Sequence, residues 1–125
     1  MRFGFDLRPL QMGVRDTGIG RYTAALSEHL WRLGVSQEAA FLVLRGRPLP
    51  SAALGDSPRC RLVSVYRPRR PERWHPFWDR WLLERELRLL KLELFHSPRL
   101  CNFRPRRFPL IVTVHDLIYL RFPGK

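Results

Sequence analysis

The sequence has few cysteines and no long apolar segment. Its two cysteines, Cys60 and Cys101, lie far apart and form no C-x-x-C pair, which argues against a disulfide framework and a cysteine-based zinc site and favours a reducing, cytosolic compartment. No run of about 18 apolar residues is present, so no membrane-spanning helix is predicted. The N-terminus, Met1 to Asp6, lacks the apolar core of a secretory signal.

Acidic residues are also scarce. The chain has 11 acidic and 23 basic residues, which gives a formal net charge of +12. The basic residues are almost all arginine, a bias that the base composition of a gene can produce. We therefore rank an acidic membrane or a phosphorylated ligand as the first partner class for this charge, and nucleic acid as the least favoured one.

The first third of the chain has the pattern of a strand, a glycine-rich loop, a helix and a second strand. Arg2–Leu7 alternates as a strand does, and Phe41–Leu44 has the length of a buried strand. Between them, apolar residues recur at steps of three and four and predict a helix that ends at Gly34. These helix residues are Ile19, Tyr22, Leu26, Leu30 and Leu33. The order predicts a right-handed βαβ unit and a parallel sheet.

The rest of the chain continues this alternation of strands and helices. A third strand is predicted at Arg61–Tyr66 and a helix at Phe77–Leu92. Its predicted core-facing arc consists of Phe77, Trp78, Trp81, Leu82, Leu89 and Leu92, with Leu83, Leu87 and Leu90 on the other side. Two strands follow, Leu92–Phe95 and Leu110–Val114, and the second is predicted to be a central strand covered on both faces.

Three features of the chain fall where parallel strands end, which is the edge of the sheet that binds ligands. They are the loop 13–20, the triplet His96-Ser97-Pro98 and the pair His115-Asp116. His115 could hydrogen-bond a bound hydroxyl or manage its proton, or it could satisfy backbone groups of its loop. The same two interpretations apply to His96.

Gly18 and Gly20 stand at the entry to the first predicted helix. Glycines there let backbone amides approach a phosphate at a helix N-terminus, and the alternative is a plain tight turn with Asp16 or Thr17 capping the helix. The dinucleotide fingerprint G-x-G-x-x-G is incomplete, because Thr23 occupies its last position.

Residues 66–81 interleave arginine with aromatic side chains. This mixture suits an anionic membrane surface or single-stranded nucleic acid, but it also suits a solvated loop that leads into a helix with core tryptophans. No two histidines have the spacing of metal ligands on one element, so no metal site is predicted.

Three segments, in order, resemble the N-terminal half of retaining, GT-B-type glycosyltransferases of the family 4 group. They are Phe5-Asp6-Leu7-Arg8-Pro9 with Gly18-Ile19-Gly20-Arg21-Tyr22-Thr23, then Leu94-Phe95-His96-Ser97-Pro98, then Val112-Thr113-Val114-His115-Asp116-Leu117-Ile118. The resemblance implies a Rossmann-like parallel sheet flanked by helices, the first half of a GT-B fold. It further implies sugar transfer from a nucleotide-diphosphate sugar to a lipid-linked or polysaccharide acceptor, with retention of configuration.

The same resemblance assigns roles by position. Gly18, Gly20 and Arg21 would contact the leaving diphosphate, and His115 would face the transferred sugar and the incoming hydroxyl, with Asp116 shaping its loop. No metal and no cofactor other than the donor substrate is required. The expected location is cytoplasmic, with peripheral contact to the cytoplasmic face of a membrane as an open alternative.

The chain also departs from the family pattern. No two glutamates have the Glu-x7-Glu spacing of the donor-binding domain, since Glu86 and Glu93 are one residue too close. We therefore expect residues 1–125 to be a truncated acceptor-side domain, without the donor-binding domain and inactive by itself. Two alternatives stay open: an NADP-type Rossmann domain with Arg45 on the 2′-phosphate, or a basic adaptor that binds anionic membrane or RNA through residues 66–81.

Overall fold

The computed structural model describes residues 1–33, 38–49, 60–66, 79–101, 104–117 and 121. Within them a five-stranded, fully parallel sheet is flanked by helices on its two faces. The strands are β1 (Arg2–Asp6), β2 (Glu38–Leu44), β3 (Cys60–Val65), β4 (Leu94–Ser97) and β5 (Leu110–Val112). The helices are α1 (Gly18–Leu33) and α2, in which a π-helical turn (Asp79–Leu83) continues into an α-helix (Glu84–Leu89). A 3-10 turn (Arg8–Gln11) follows β1.

The strand order is β3-β2-β1-β4-β5, the order of the first five strands of a Rossmann sheet. The chain moves from β1 outward to β3 and then crosses to the other side of β1 to form β4. The ends of β1 and β4 therefore border the crevice in which open α/β sheets bind ligands. The structure confirms the predicted α/β, Rossmann-like class.

Alternate residues of the central strands build two separate cores. We name them the α1 face and the α2 face after the helix that covers each. The buried α1-face residues are Phe5, Leu7, Leu10, Ala39, Phe41 and Val43. The buried α2-face residues are Ala40, Leu42, Leu44, Val65, Leu83, Leu87, Leu92, Phe95 and Phe108. Because β2 contributes to both sets, it is buried on both sides, as expected of an inner parallel strand.

Helix α1 lies over the sheet through small residues. Its fully buried positions are Gly20, Thr23 and Ser27, whereas Tyr22 and Leu33 of the predicted apolar stripe are exposed. Small side chains let the helix approach the strands closely, and flanking apolar residues such as Trp31 fill the remaining space. The helix was correctly predicted, and Leu26 and Leu30 of the predicted stripe pack against the α1-face core, although the most buried positions lie to one side of that stripe. Its predicted stop, Gly34, lies outside the described residues.

The predicted core-facing arc of the second helix is wrong at Trp81 and Leu89, whereas its Leu92 is buried in the α2-face core beyond the end of the helix. Leu83 and Leu87 are buried, although they were placed on the outer side, while Trp81 and Leu89 are 63% and 70% exposed. A π-helical turn accommodates one more residue than an α-helical turn, so a regular helical period carried through residues 79–83 assigns the wrong face. Phe77 and Trp78 lie outside the described residues.

The prediction that β5 is a central strand is also wrong for the described sheet. β5 pairs with β4 alone among the described strands, and its Ile111 is 46% exposed.

Candidate functional site

The loop after β1 is fixed by a buried ion pair. The Arg8 guanidinium holds the Asp6 carboxylate through two bonds, Nε to Oδ1 and Nη2 to Oδ2, each 2.8 Å long, and the Arg8 backbone N–H adds a third at 3.0 Å. Both side chains are almost fully buried. Such a bidentate pair satisfies a buried charge with fixed geometry, so the end of β1 is a rigid border of the crevice.

A second arginine also acts on the Asp6 carboxylate. Burial by itself would raise the pKa of Asp6, but the charge of Arg8 and its hydrogen bonds lower that pKa below its usual value, with a further contribution from the charge of Arg99. Arg99 belongs to the segment after β4. Two guanidinium groups thus act on one carboxylate where β1 and β4 end.

Gln11 attaches the same loop to the end of β2. Its side-chain carbonyl accepts the Leu44 backbone N–H at 2.6 Å, and its amide nitrogen donates to the carbonyls of Arg47 and Leu44 at 2.7 and 3.3 Å. The segment between β1 and α1 is therefore attached to β1 through the Asp6–Arg8 pair and to the end of β2 through Gln11. Nothing in the local sequence pattern pointed to this role for Gln11.

The two glycines at the start of α1 differ in their surroundings. A Cβ on Gly20 would lie 1.8 Å from the carbonyl oxygen of Arg15, whereas a Cβ on Gly18 would have no atom within 4 Å. Gly20 is thus required for the loop to pack against the helix, as expected of a glycine that serves a tight turn. Gly18 is exposed and open to solvent, so its surroundings leave room for a phosphate at the helix N-terminus.

A hydrogen-bonded group of side chains joins β4, β5 and α1 on the α1 face. His96 Nε2 lies 2.9 Å from Thr113 Oγ1, which in turn lies 3.2 Å from the Tyr22 hydroxyl. The imidazole of His96 also meets the ring of Phe5 edge to face. Burial lowers the pKa of His96 below its usual value, so this ring stays neutral at neutral pH.

His115 lies beside this group, in the segment after β5. Its ring contacts Tyr22 edge to face with centroids 5.2 Å apart, and its Nε2 lies 2.6 Å from the Pro98 carbonyl oxygen. A carbonyl only accepts, so Nε2 carries the hydrogen and the neutral ring keeps an acceptor at Nδ1. His115 is exposed, and one nitrogen thereby orients the ring while the other remains available.

The structure brings several of the predicted site residues to one edge of the sheet. Tyr22 lies one helical turn, about 6 Å along the axis, from Gly18, and it contacts His115 directly. Arg21 and Asp116 are exposed in the same two segments. His96 and His115 are linked through Thr113 and Tyr22 rather than to each other.

The sequence pattern assigns no site role to Tyr22 or Thr113. The helical repeat predicts a core position for Tyr22, and both residues belong to motifs that carry the family resemblance. One signal was available: Thr113 and His115 stand two residues apart at the end of a strand, a spacing that places side chains on the same face. No local pattern predicts the buried pair of Asp6 and Arg8, although both residues belong to the first motif of the resemblance.

Neither a metal site nor a membrane-spanning helix is found in the described part of the chain. No group of three or more His, Cys, Asp and Glu side chains there could hold a metal ion, and no described helix is long and apolar enough to cross a bilayer. Of the proposed membrane segment 66–81, residues 67–78 lie outside the described residues. Tyr66 and Trp81, at its two ends, are exposed.

Comparison with known proteins gives one match. A family model described as Glycosyltransferase Family 4 matches residues 17–125, a range that includes α1, the His96–Thr113–Tyr22 group and His115. No curated protein and no solved structure matches the chain. Since the family model covers most of its length, the chain belongs to glycosyltransferase family 4.

Proposed function

We propose that this domain forms the acceptor side of an enzyme that transfers a sugar from a nucleotide-diphosphate sugar to a lipid-linked or polysaccharide acceptor. The observation that carries this proposal is the placement of His115 against Tyr22, one helical turn from the open N-terminus of α1. A sugar diphosphate needs both elements: donors for its phosphates and a hydrogen-bonding group for its sugar. Retention of configuration and the acceptor class follow from the resemblance of the motifs.

The first turn of α1 would hold the diphosphate. The N–H groups at Gly18, Ile19 and Gly20 have no acceptor one turn earlier within the helix, and the helix dipole adds partial positive charge there. Gly18 leaves the approach open, and the exposed Arg21 can supply a full charge. Departure of a nucleoside diphosphate is assisted by such preorganised dipoles, because negative charge develops on the leaving phosphate.

His115 would hold the sugar and the incoming hydroxyl. The Pro98 carbonyl fixes its Nε2–H, so Nδ1 is the atom that accepts a hydrogen bond from a sugar or acceptor hydroxyl. Tyr22 limits rotation of the ring, and Asp116 shapes the segment beyond it. This assignment requires no nucleophile on the domain itself.

The alternative of an NADP-type domain has less support. Arg45 does follow β2 and is exposed, but Thr23 is fully buried and its hydroxyl donates to the Ile19 carbonyl. The third glycine position of a dinucleotide fingerprint is therefore occupied by a packed side chain. The family match also favours sugar transfer.

An NMR titration with UDP- and GDP-sugars tests the proposal. We expect a donor sugar to shift the backbone amides of residues 18–20 and the imidazole resonances of His115, and the nucleoside diphosphate alone to shift only the amides. His115→Ala should weaken binding of the nucleotide sugar by about tenfold, the effect of one lost hydrogen bond, and leave binding of the diphosphate unchanged. Absence of amide shifts at millimolar ligand would refute the proposal, as would an unchanged affinity of His115→Ala for every nucleotide sugar.

A further inference from the structure

A second concave site lies away from the crevice, between α2 and the segment that connects β4 to β5. We name this space of about 630 Å³ the arginine cavity. Helix α2 contributes Arg80, Trp81, Glu84 and Arg88 to its lining, and the connecting segment contributes Cys101, Arg104 and Arg106. A space of this volume is in the range of small-molecule sites.

The arginine cavity is separate from the His115 site. Cys101 packs against the α2-face core, whereas His96 contacts Phe5 of the α1-face core. The two sites are therefore on opposite faces of the sheet. Occupation of the arginine cavity would not compete with a donor sugar at the start of α1.

The lining carries more positive charge than its own carboxylate can compensate. Glu84 forms an ion pair with Arg88 at i,i+4 on α2. For Arg80, Arg104 and Arg106 no ion pair or hydrogen bond is found within the part of the chain that the structure describes. Three guanidinium groups at one concave surface repel one another, and an anion bound among them would remove that repulsion.

We propose that the arginine cavity binds a phosphate group that carries two or more negative charges, on a small molecule or a lipid headgroup. Each guanidinium presents several N–H donors in a planar fork that matches phosphate oxygens in a bidentate manner. A carboxylate has too few acceptor sites for three such forks, whereas a phosphomonoester or diphosphate has enough. Glu84 and Arg88, which form an ion pair with each other, lie in the same lining.

Trp81 gives the cavity an apolar border. Its side chain is 63% exposed, and a large exposed indole beside arginines suits the organic part of a ligand or the interfacial layer of a membrane. The two sources of phosphate can therefore be separated experimentally. Trp81→Ala should weaken binding to vesicles more than binding of a soluble phosphate if the ligand is a lipid.

Calorimetric titration with pyrophosphate and cosedimentation with vesicles containing phosphatidic acid test this proposal. We expect Arg104→Gln/Arg106→Gln to weaken binding of at least one probe by about tenfold or more, and higher salt to weaken it as well. Both residues are exposed, so the fold should persist. The matched control is Arg61→Gln/Arg85→Gln, which removes the same charge from exposed positions outside the cavity and should change binding less than twofold.

Pyrophosphate binding without vesicle binding would identify a soluble ligand, and vesicle binding that depends on Arg104 and Arg106 would identify a lipid headgroup. The proposal is overturned if neither probe binds or if both double variants lose binding equally. Tighter binding of single-stranded RNA than of pyrophosphate at equal phosphate concentration would also overturn it. Pyrophosphate can also bind at the diphosphate site proposed for the start of α1, so only the loss caused by Arg104→Gln/Arg106→Gln relative to Arg61→Gln/Arg85→Gln reports on the arginine cavity. Neither double variant changes α1 or His115, so this difference is independent of the proposed sugar transfer.

Discussion

The rings of Tyr22 and His115 meet edge to face with their centroids 5.2 Å apart, and this contact joins helix α1 to the segment after β5. The Tyr22 hydroxyl also lies 3.2 Å from Thr113 Oγ1. Tyr22 thus supports the imidazole through its ring and the end of β5 through its oxygen. The two contributions can be separated, because phenylalanine retains the first and removes the second.

Replacing Tyr22 by alanine should release the His115 ring, whereas Tyr22→Phe should preserve its position. We expect the imidazole proton resonances of His115 to change strongly in Tyr22→Ala, because the aromatic ring that faces them is lost, and only slightly in Tyr22→Phe. Two-dimensional NMR of the histidine side chains measures both effects. Equal changes in the two variants would show that the ring contact does not position His115.

The two glycines of α1 should respond differently to alanine. Gly20→Ala would force its Cβ into the Arg15 carbonyl and should lower the free energy of unfolding by about 1–3 kcal/mol, the usual cost of overpacking. Gly18→Ala meets no atom and should change it by no more than about 1 kcal/mol. Urea unfolding of both variants tests the pair, and a Gly20→Ala protein as stable as Gly18→Ala would contradict the close packing of the loop.

The buried pair of Asp6 and Arg8 should be costly to break. Asp6→Asn leaves the Arg8 guanidinium buried without its counter-charge, and we expect a loss of about 3–5 kcal/mol in the free energy of unfolding. The matched control is Glu38→Gln, which removes the carboxylate of an exposed pair with Arg2. That change should cost less than about 1 kcal/mol, because solvent screens exposed pairs.

The pH dependence of stability gives a second measure of the same pair. The pKa of Asp6 is lower in the folded chain than in the unfolded chain. Asp6 therefore contributes fully to the free energy of unfolding above its pKa in the unfolded chain, about 3.9. This contribution is lost as the pH falls through the pKa that Asp6 has in the folded chain. The wild-type protein should therefore lose more stability than Asp6→Asn in acid below about pH 4, and parallel pH profiles of the two proteins would be inconsistent with a lowered pKa.

Much of the fold could be predicted from local patterns. β1, β2, β3 and α1 lie where alternation and helical periodicity placed them, because these patterns follow directly from burial on one face or on both. The buried face of α2 could not be predicted, because the π-helical turn at Asp79–Leu83 changes the period within the helix. The position of β5 at the end of the described strand order depends on the pairing order of the sheet, which no local pattern contains.

The candidate site was predicted in outline only. The carboxyl ends of parallel strands meet at one edge, so the placement of Gly18 and His115 at that edge followed from their positions after β1 and β5. The hydrogen bonds of Thr113 with His96 and Tyr22 connect three elements that are distant in sequence. Such contacts depend on how α1 lies over the sheet, and this is set by the small buried residues Gly20, Thr23 and Ser27 together with the partly buried Leu26 and Leu30.

His96 should make stability depend on pH near neutrality. Burial lowers its pKa in the folded protein, so the unfolded chain binds the proton more readily. The contribution of His96 to the free energy of unfolding is complete above its pKa in the unfolded chain, about 6.5. It is lost as the pH falls through the pKa that His96 has in the folded protein. His96→Gln keeps a hydrogen-bonding side chain but does not titrate. Urea unfolding at several pH values below 6.5 should show a smaller loss for this variant than for wild type, and equal losses would exclude a lowered pKa.

The buried face of α2 can be tested with two identical substitutions in one helix. Leu87 is fully buried in the α2-face core, while Leu89 is 70% exposed. Leu87→Ala should therefore lower the free energy of unfolding by about 2–5 kcal/mol through lost burial and an unfilled cavity. Leu89→Ala should change it by no more than about 0.5 kcal/mol. Because both variants exchange the same residue types in the same helix, differences in helix propensity cancel between them. Thermal and urea unfolding give the comparison. A larger loss in the free energy of unfolding for Leu89→Ala would indicate that the buried face is the one predicted from a regular helical period.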